Sequence, residues 1–266
     1  MNCRYWIIPL DICHIIAEYV IVPSLLYWIP QEKLDWALMS MNPAAIYFLE
    51  ANLDKIYWSF LSENSAAIHL LEANQDKIDW SRLSVNPAAI YLLEANQDMI
   101  DWCYLSKNPT KLAIHLLEAN PDKIYWSWLS LNPTKWAIHL LKANPDKINW
   151  EYLSSNPAAI HLLEANPDKI DWFELSGNPA AIHLLEKNLD KIYWNVLSTN
   201  SAERAVHLLE KNPDKINWTF LSEMPAAIYL LEANPKRINW EWISRNPAIF
   251  EINYKKIIEL THWLCE

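Results

Sequence analysis

The chain has 266 residues, is 52% apolar and carries a formal net charge of −10, with 16 tryptophans, 16 prolines, four cysteines and one glycine. The acidic balance counts against nucleic acid as the main partner, because affinity for a phosphate backbone comes largely from Lys and Arg displacing counterions; a protein partner with a basic or neutral surface fits better. A lone glycine, Gly177, excludes the glycine-rich loops that cradle phosphates, and Cys3, Cys13, Cys103 and Cys265 form no C-x-x-C pair, which reads as reduced thiols in an intracellular, cytoplasmic setting.

The first element, over 1–29, is a helical cap. Ile8-Pro9-Leu10-Asp11 opens a helix predicted to run through Val20. Its apolar run falls short of the roughly 20 residues that a membrane span needs, and Asp11, His14 and Glu18 interrupt any signal-peptide core. The protein is therefore expected to be soluble.

From residue 30 the pattern changes to a tandem repeat. Trp36, Trp58, Trp80, Trp102, Trp126, Trp150, Trp172, Trp194, Trp218 and Trp240 stand 22 or 24 residues apart. A unit this short cannot bury its own apolar face, so neighbours must stack into a continuous core. Residues 156–177 read NPAAIHLLEANPDKIDWFELSG. Asn156-Pro157 and Asn166-Pro167-Asp168 are both helix starts, with an asparagine at the N-cap and proline at the first helical position. The first start predicts a helix of two to three turns that is apolar over a wide arc, leaving His161 and Glu164 on the wet edge. The second segment cannot be one continuous helix, since Ile170 and Trp172 would point about 200° apart. Asp171 is expected to cap a new turn in which Trp172 and Leu175 share a face, with 3₁₀ geometry as one option. Three two-residue expansions, at Pro109-Thr110-Lys111, Pro133-Thr134-Lys135 and Ser201-Ala202-Glu203, all fall at the start of the first helix.

The array over 30–246 is followed by a C-terminal capping helix over 247–266, whose Ile252, Ile257, Leu260 and Leu264 can seal the last layer. The fold class is all-α: a short-repeat solenoid, α/α or α/3₁₀, with helical caps at both ends. Stacking at about 8–10 Å per layer predicts an elongated rod roughly 80–90 Å long, of either superhelical hand. The tryptophans never vary within the array and are expected to be its core knobs.

The order of the Asn-Pro, Leu-Leu-Glu, Asp-Lys-Ile and Trp-x-x-Leu-Ser elements across about 30–250 resembles the short tandem repeats abundant in giant DNA viruses that infect amoebae. That resemblance implies an interaction protein, acting on the host and located in its cytoplasm, and carries no catalytic residue across. Residues Ile7 to Tyr19 are similar to the opening of an F-box, which implies docking on a Skp1-type adaptor through Ile8, Pro9, Leu10, Ile12, Ile15 and Ile16, with the solenoid as the substrate-reading arm of a ubiquitin ligase. The alternative for this segment is a plain hydrophobic cap.

Candidate functional positions follow from the repeat register. His69, His115, His139, His161, His183 and His207 form a ladder in which Tyr47, Tyr91 and Tyr229 substitute. Equivalent positions in stacked layers are too far apart to converge on one metal ion, so no metal or other cofactor is expected. Glu50, Glu72, Glu94, Glu118, Glu164, Glu186, Glu210 and Glu232 run beside that ladder as an acidic band able to attract a basic partner. Variation concentrates two residues after each tryptophan, at Phe60, Arg82, Tyr104, Trp128, Tyr152, Glu174, Val196, Phe220 and Trp242, and again at Glu63, Lys107, Glu223, Arg245 and their equivalents. Aromatic and arginine side chains are typical interface anchors. The partner-binding candidates are therefore Phe60, Arg82, Tyr104, Trp128, Tyr152, Phe220 and Trp242, with Glu72, Glu94, Glu118, Glu164 and Glu186. The reading is a non-enzymatic protein-interaction scaffold, with an F-box-like adaptor as the alternative.

Overall fold

The structure, a computed structural model, describes residues 23–251. It is an all-α repeat solenoid. Each unit begins with a 3₁₀ turn, such as Pro167–Lys169, and continues into a short tryptophan helix, such as Trp172–Ser176. A second 3₁₀ turn, Pro179–Ala181, leads into a leucine helix, Ile182–Lys187. Counting from the turn that precedes each tryptophan gives ten repeats, the first carrying Trp36 and the tenth Trp240. The expansions merge the second turn and the leucine helix into one longer helix, Lys111–Ala119 and Lys135–Ala143, capped by Thr110 and Thr134.

Local capping follows the sequence signals at two of three sites. Asp171 accepts from the Glu174 N–H, starting the tryptophan helix as expected. Asn156 accepts from the Ala158 N–H at 3.0 Å. Asn166, expected as a second N-cap, does the opposite: its side-chain amide donates to the Leu162 carbonyl at 2.9 Å and ends the leucine helix behind it. That carbonyl lacks a helical partner at the C-terminus, so the amide is used there.

The core differs from expectation in which residues fill it. The fully buried side chains are small or branched, such as Leu153, Ala159, Leu163 and Leu175, with buried Ser154 and Asn156 beside them. All ten repeat tryptophans are only partly buried and lie against the edge of this core. Leucine and alanine interdigitate at the spacing of adjacent layers, whereas the indole is displaced to the seam between them. Its face is then covered from the next repeat: Lys55, Lys77, Lys123, Lys191 and Lys215 place their ammonium groups 4.4–4.5 Å from the Trp36, Trp58, Trp102, Trp172 and Trp194 ring centroids.

Neighbouring repeats are joined by a buried ladder of asparagine and serine. The Asn156 side-chain amide donates to the carbonyls of Ser130 and Asn132 in the preceding repeat, at 2.8 and 3.0 Å. The same pair of bonds recurs at Asn64, Asn86, Asn108, Asn132, Asn178 and Asn200. The Ser154 hydroxyl donates to the Trp150 carbonyl and accepts the Asp171 N–H of the next repeat. No buried side-chain nitrogen or oxygen among the described residues lacks a partner, so this polar ladder is fully satisfied, the condition under which it rigidifies a core.

The predicted open rod is overturned by the same bonds. Asn42 of the first repeat donates to Ser244 and Asn246 of the tenth, at 3.1 and 3.2 Å. The Asp35 N–H reaches the Ser244 hydroxyl at 2.8 Å, and the Lys33 ammonium lies 4.7 Å from the Trp240 ring centroid. The first repeat thus packs on the tenth as every repeat packs on its predecessor, and the solenoid is a closed ring. Head-to-tail contacts close when their rotations sum to a full turn, here about 36° per repeat for ten repeats.

The closure is interlocked. Where the tenth repeat should have a leucine helix, Phe250–Glu251 form strand β2, which pairs antiparallel with β1, Ser24–Leu25. Ile29 is buried in the adjoining core, and the Tyr27 hydroxyl donates to Glu232, the partner that a tenth-repeat side chain would take. The first residues assigned to a C-terminal helix, 247–251, therefore form a 3₁₀ turn and a strand. The predicted N-terminal helix and residues 252–266 lie outside the described residues. Among the described residues, no helix is long and apolar enough to cross a membrane.

Candidate functional site

Several successive tryptophan helices approach closely, Trp36–Met41 with Trp58–Leu61 and Trp150–Ser155 with Trp172–Ser176 among them, whereas no two successive leucine helices among the described residues come as close. Wedge-shaped units of this kind curve toward their closer-packed layer, which puts the tryptophan helices on the inner side of the ring. In each repeat the core side is taken by the tryptophan, by the leucine three residues on (Met39 in the first repeat, Ile243 in the tenth) and by the serine four residues on. The positions two and five after the tryptophan point the other way.

The ring therefore brings the variable aromatic positions together as an inner belt. Arg82 stacks on Phe60 at 4.5 Å and forms an ion pair with Glu63 at 2.7 Å. Tyr104 and Trp128 pack at 5.2 Å between centroids, with the Lys107 ammonium 5.8 Å from the Trp128 centroid. Phe220 meets Trp242 edge-on at 5.7 Å, and Arg245 pairs with Glu223 at 3.2 Å. Phe60, Arg82, Tyr104, Trp128, Tyr152, Phe220 and Trp242 all remain partly exposed, so each can offer surface to a partner. The belt thins at Gly177, whose backbone conformation is ordinary. A Cβ there would stand 3.3 Å from Val196 Cγ1, so its smallness serves packing.

Charge on the belt is uneven. Arg82 and Arg245 are tied to glutamates and Lys107 lies over Trp128, which leaves Glu174 as a carboxylate of the belt, with exposed Glu151 beside it. Partial burial pushes the Glu174 carboxyl above its usual range, and repulsion from Asp171 and Glu151 adds to the effect. Burial likewise raises Glu223, against the pull of Arg245. A half-buried carboxyl held above its usual range gains from an incoming cation.

The glutamates of the leucine helices occupy the opposite, outer layer and are not a free acidic band. Glu50 bonds His69 of the next repeat at 2.6 Å, and Glu164 bonds His183 at 2.9 Å, which lowers the Glu164 pKa. Glu72 accepts from Tyr91, Glu118 from the Trp136 indole at 2.6 Å, Glu186 from Arg204, and Glu210 from Tyr229 at 2.9 Å. Two ladder histidines, His69 and His183, thus share with Tyr91, Tyr229, Trp136 and Arg204 the role of tying a glutamate of the preceding repeat, whereas His161 reaches Glu164 of its own helix. Of the five glutamate candidates, Glu94 has no such bond to the next repeat among those found.

Sequence reasoning missed the asparagine ladder. Its signal was present in the asparagine that follows the tryptophan helix by the same register in nine repeats, with a serine two residues before it, but capping alone accounted for it. Shallow grooves also open between successive turns, one lined by Leu34, Asp35, Trp36, Asp54, Lys55, Ile56 and Tyr57 and another by Ile100–Cys103 and Asp122–Tyr125. Cys103 lies in the second groove, where burial and Asp101 push its thiol pKa up, away from the thiolate that a nucleophile requires. No group of three or more His, Cys, Asp or Glu side chains among the described residues is placed to hold a metal ion. The adaptor candidates Ile8, Pro9, Leu10, Ile12, Ile15 and Ile16 lie outside the described residues. Comparison of the chain with family models, with curated proteins and with solved structures gave no match.

Proposed function

We propose that the ring is a non-enzymatic protein-interaction scaffold that takes a basic, apolar polypeptide segment against its inner belt. The observation that carries this reading is the direction of the variable residues. Phe60, Arg82, Tyr104, Trp128, Tyr152, Phe220 and Trp242 differ from repeat to repeat, are spared from the core, and are gathered by ring closure onto one continuous wall. Ten helices at about 8–10 Å spacing set a radius of roughly 13–16 Å. Subtracting the half-width of a helix with its side chains leaves roughly 15–20 Å across, room for a helix about 10–12 Å wide. The Glu174 and Glu151 sector supplies the charge preference, and the aromatics supply rigid contact area.

The test is calorimetric titration of the full chain with three 20-residue peptides, patterned Lys/Leu, Glu/Leu and Ser/Leu. Saturable binding of the Lys/Leu peptide alone, weakened at least tenfold in the Trp128→Ala/Tyr152→Ala double variant, supports the reading. Equal binding by all three, or binding indifferent to the double variant, contradicts it.

The ubiquitin-ligase reading rests on the F-box-like residues 7–19 and on the resemblance to repeats of viruses that act inside a host cell. Its test is retention of a Skp1-type adaptor by the full chain but not by the Ile8→Ala/Leu10→Ala/Ile15→Ala variant. Retention by neither would leave that segment as a cap.

A further inference from the structure

The asparagine ladder is interrupted once, at Met224. In the ninth repeat this methionine stands where the other repeats have asparagine, and it donates nothing to the carbonyls of Ser198 and Asn200, two buried residues of the eighth repeat. Nor does it cap the turn that follows it, whereas Asn246 caps Ala248. On the other side, Asn246 keeps its bond to Ser222 at 3.0 Å, but no bond to the Met224 carbonyl accompanies it. The helix Glu203–Glu210 packed at this seam starts at Ala202 with no side-chain cap, where the corresponding helices use Thr110 and Thr134.

The other ties of the same interface remain. Tyr229 still bonds Glu210, Lys215 still covers Trp194 at 4.4 Å, and the Asn217 N–H still reaches the Ser198 hydroxyl at 3.0 Å. An interface that keeps these contacts and lacks only the asparagine rungs can bend without parting.

The other end of the ninth and tenth repeats is held by contacts that can part, since no peptide bond joins the tenth repeat to residues 24–29. Among the described residues this fastening comprises two strand residues on each side, the Leu26 N–H to the Ile249 carbonyl, Tyr27 to Glu232, the Asn42 rung, the Asp35 N–H to the Ser244 hydroxyl and Lys33 over Trp240. We propose that the ninth and tenth repeats form a gate arm, hinged at Met224 and latched to residues 24–42, whose opening gives access to the inner belt from the side. The arm carries Phe220 and Trp242, so opening would also remove part of the belt. The mechanical claim does not depend on what the belt binds, and its test needs no partner.

Hydrogen exchange followed by mass spectrometry on the full chain reads the arm directly. Amides of 198–202 and 224–228, together with 246–251, are expected to exchange at least tenfold faster than equivalent amides in the third to sixth repeats. Met224→Asn, which restores the donor, is expected to slow exchange at 198–202 about tenfold.

A cross-link distinguishes a coupled arm from local loosening. Ser24 and Glu251 are directly paired across the strands, and the about 4.5–5.5 Å Cα spacing of such antiparallel pairs falls within the about 4.4–6.8 Å that a disulfide spans. In the oxidised Ser24→Cys/Glu251→Cys variant, exchange at 198–202 should slow although the cross-link lies two repeats away, and reduction should restore it. Hinge exchange unchanged by the cross-link, or fastest exchange in another part of the ring, would overturn the proposal.

Discussion

Replacing Asn156 by alanine removes three bonds at once. Its amide donates to Ser130 at 2.8 Å and to Asn132 at 3.0 Å across the repeat interface, and its carbonyl oxygen caps Ala158 at 3.0 Å. A net hydrogen bond is worth about 1 kcal/mol, and loss of an N-cap costs about 1 kcal/mol. Because the two accepting carbonyls belong to buried Ser130 and Asn132, stranding them adds a desolvation cost. The expected destabilisation is about 3–4 kcal/mol. At roughly 2–4 °C per kcal/mol for a chain of this size, the midpoint falls by roughly 6–16 °C. Thermal unfolding followed by far-ultraviolet circular dichroism, with urea titration for the free energy, measures it. Asn166→Ala is the matched control: it loses only the bond to Leu162 within its own repeat and should cost about 1 kcal/mol. A loss at Asn156 no larger than at Asn166 would refute the claim that the ladder joins the repeats.

Other expectations separate the core from its edge. Leu153→Ala, at a fully buried site, should cost about 3–4 kcal/mol, whereas Trp150→Ala should cost less, about 2 kcal/mol, because the indole is only partly buried; urea titrations that reverse this order would restore the tryptophan to the core. For Glu174, the folded state holds the proton more tightly than the unfolded chain, so stability rises as pH falls through the raised folded pKa toward the usual value of about 4.3. Glu174→Gln should raise the melting temperature at pH 7 and remove that acid-side gain, and melting curves across that pH range that superimpose with those of the parent would count against it.

What the sequence made legible was local. The Asp171 cap, the break before Trp172, the expansions at Thr110 and Thr134 and the stacking of units each depend on a few neighbouring residues, so the pattern exposes them. Burial was misassigned because invariance and size both pointed to tryptophan, while the residue that fits between closely spaced layers is leucine or alanine. Asn156 was read through one of its two functional groups: the carbonyl oxygen as a cap was visible, while the amide reaching the previous repeat was not. Closure was the least legible feature. It depends on rotations of about 36° accumulating without error over ten interfaces, and a few degrees per layer separate a ring from an open superhelix. No single residue encodes that sum, although Tyr27 and Asn42 show in the structure where it completes.

The aromatic belt shows the same division. Its members were identifiable as the variable positions of an otherwise regular unit, and Arg82 on Phe60 or Tyr104 against Trp128 confirm their adjacency. Their gathering onto one inner wall is a product of closure. The glutamates were placed on the correct face, but their engagement by His69, Tyr91, Trp136 and Arg204 required knowing which side chain of the next layer comes within reach.

The most direct measurement of closure is the distance between Ser24 and Glu251, taken by fluorescence energy transfer with dyes at those two positions in a background whose native cysteines are replaced by serine. The ring predicts near-complete transfer, because the two residues are strand partners. An open array of ten layers would hold them roughly 80–90 Å apart, and transfer near zero would contradict the account.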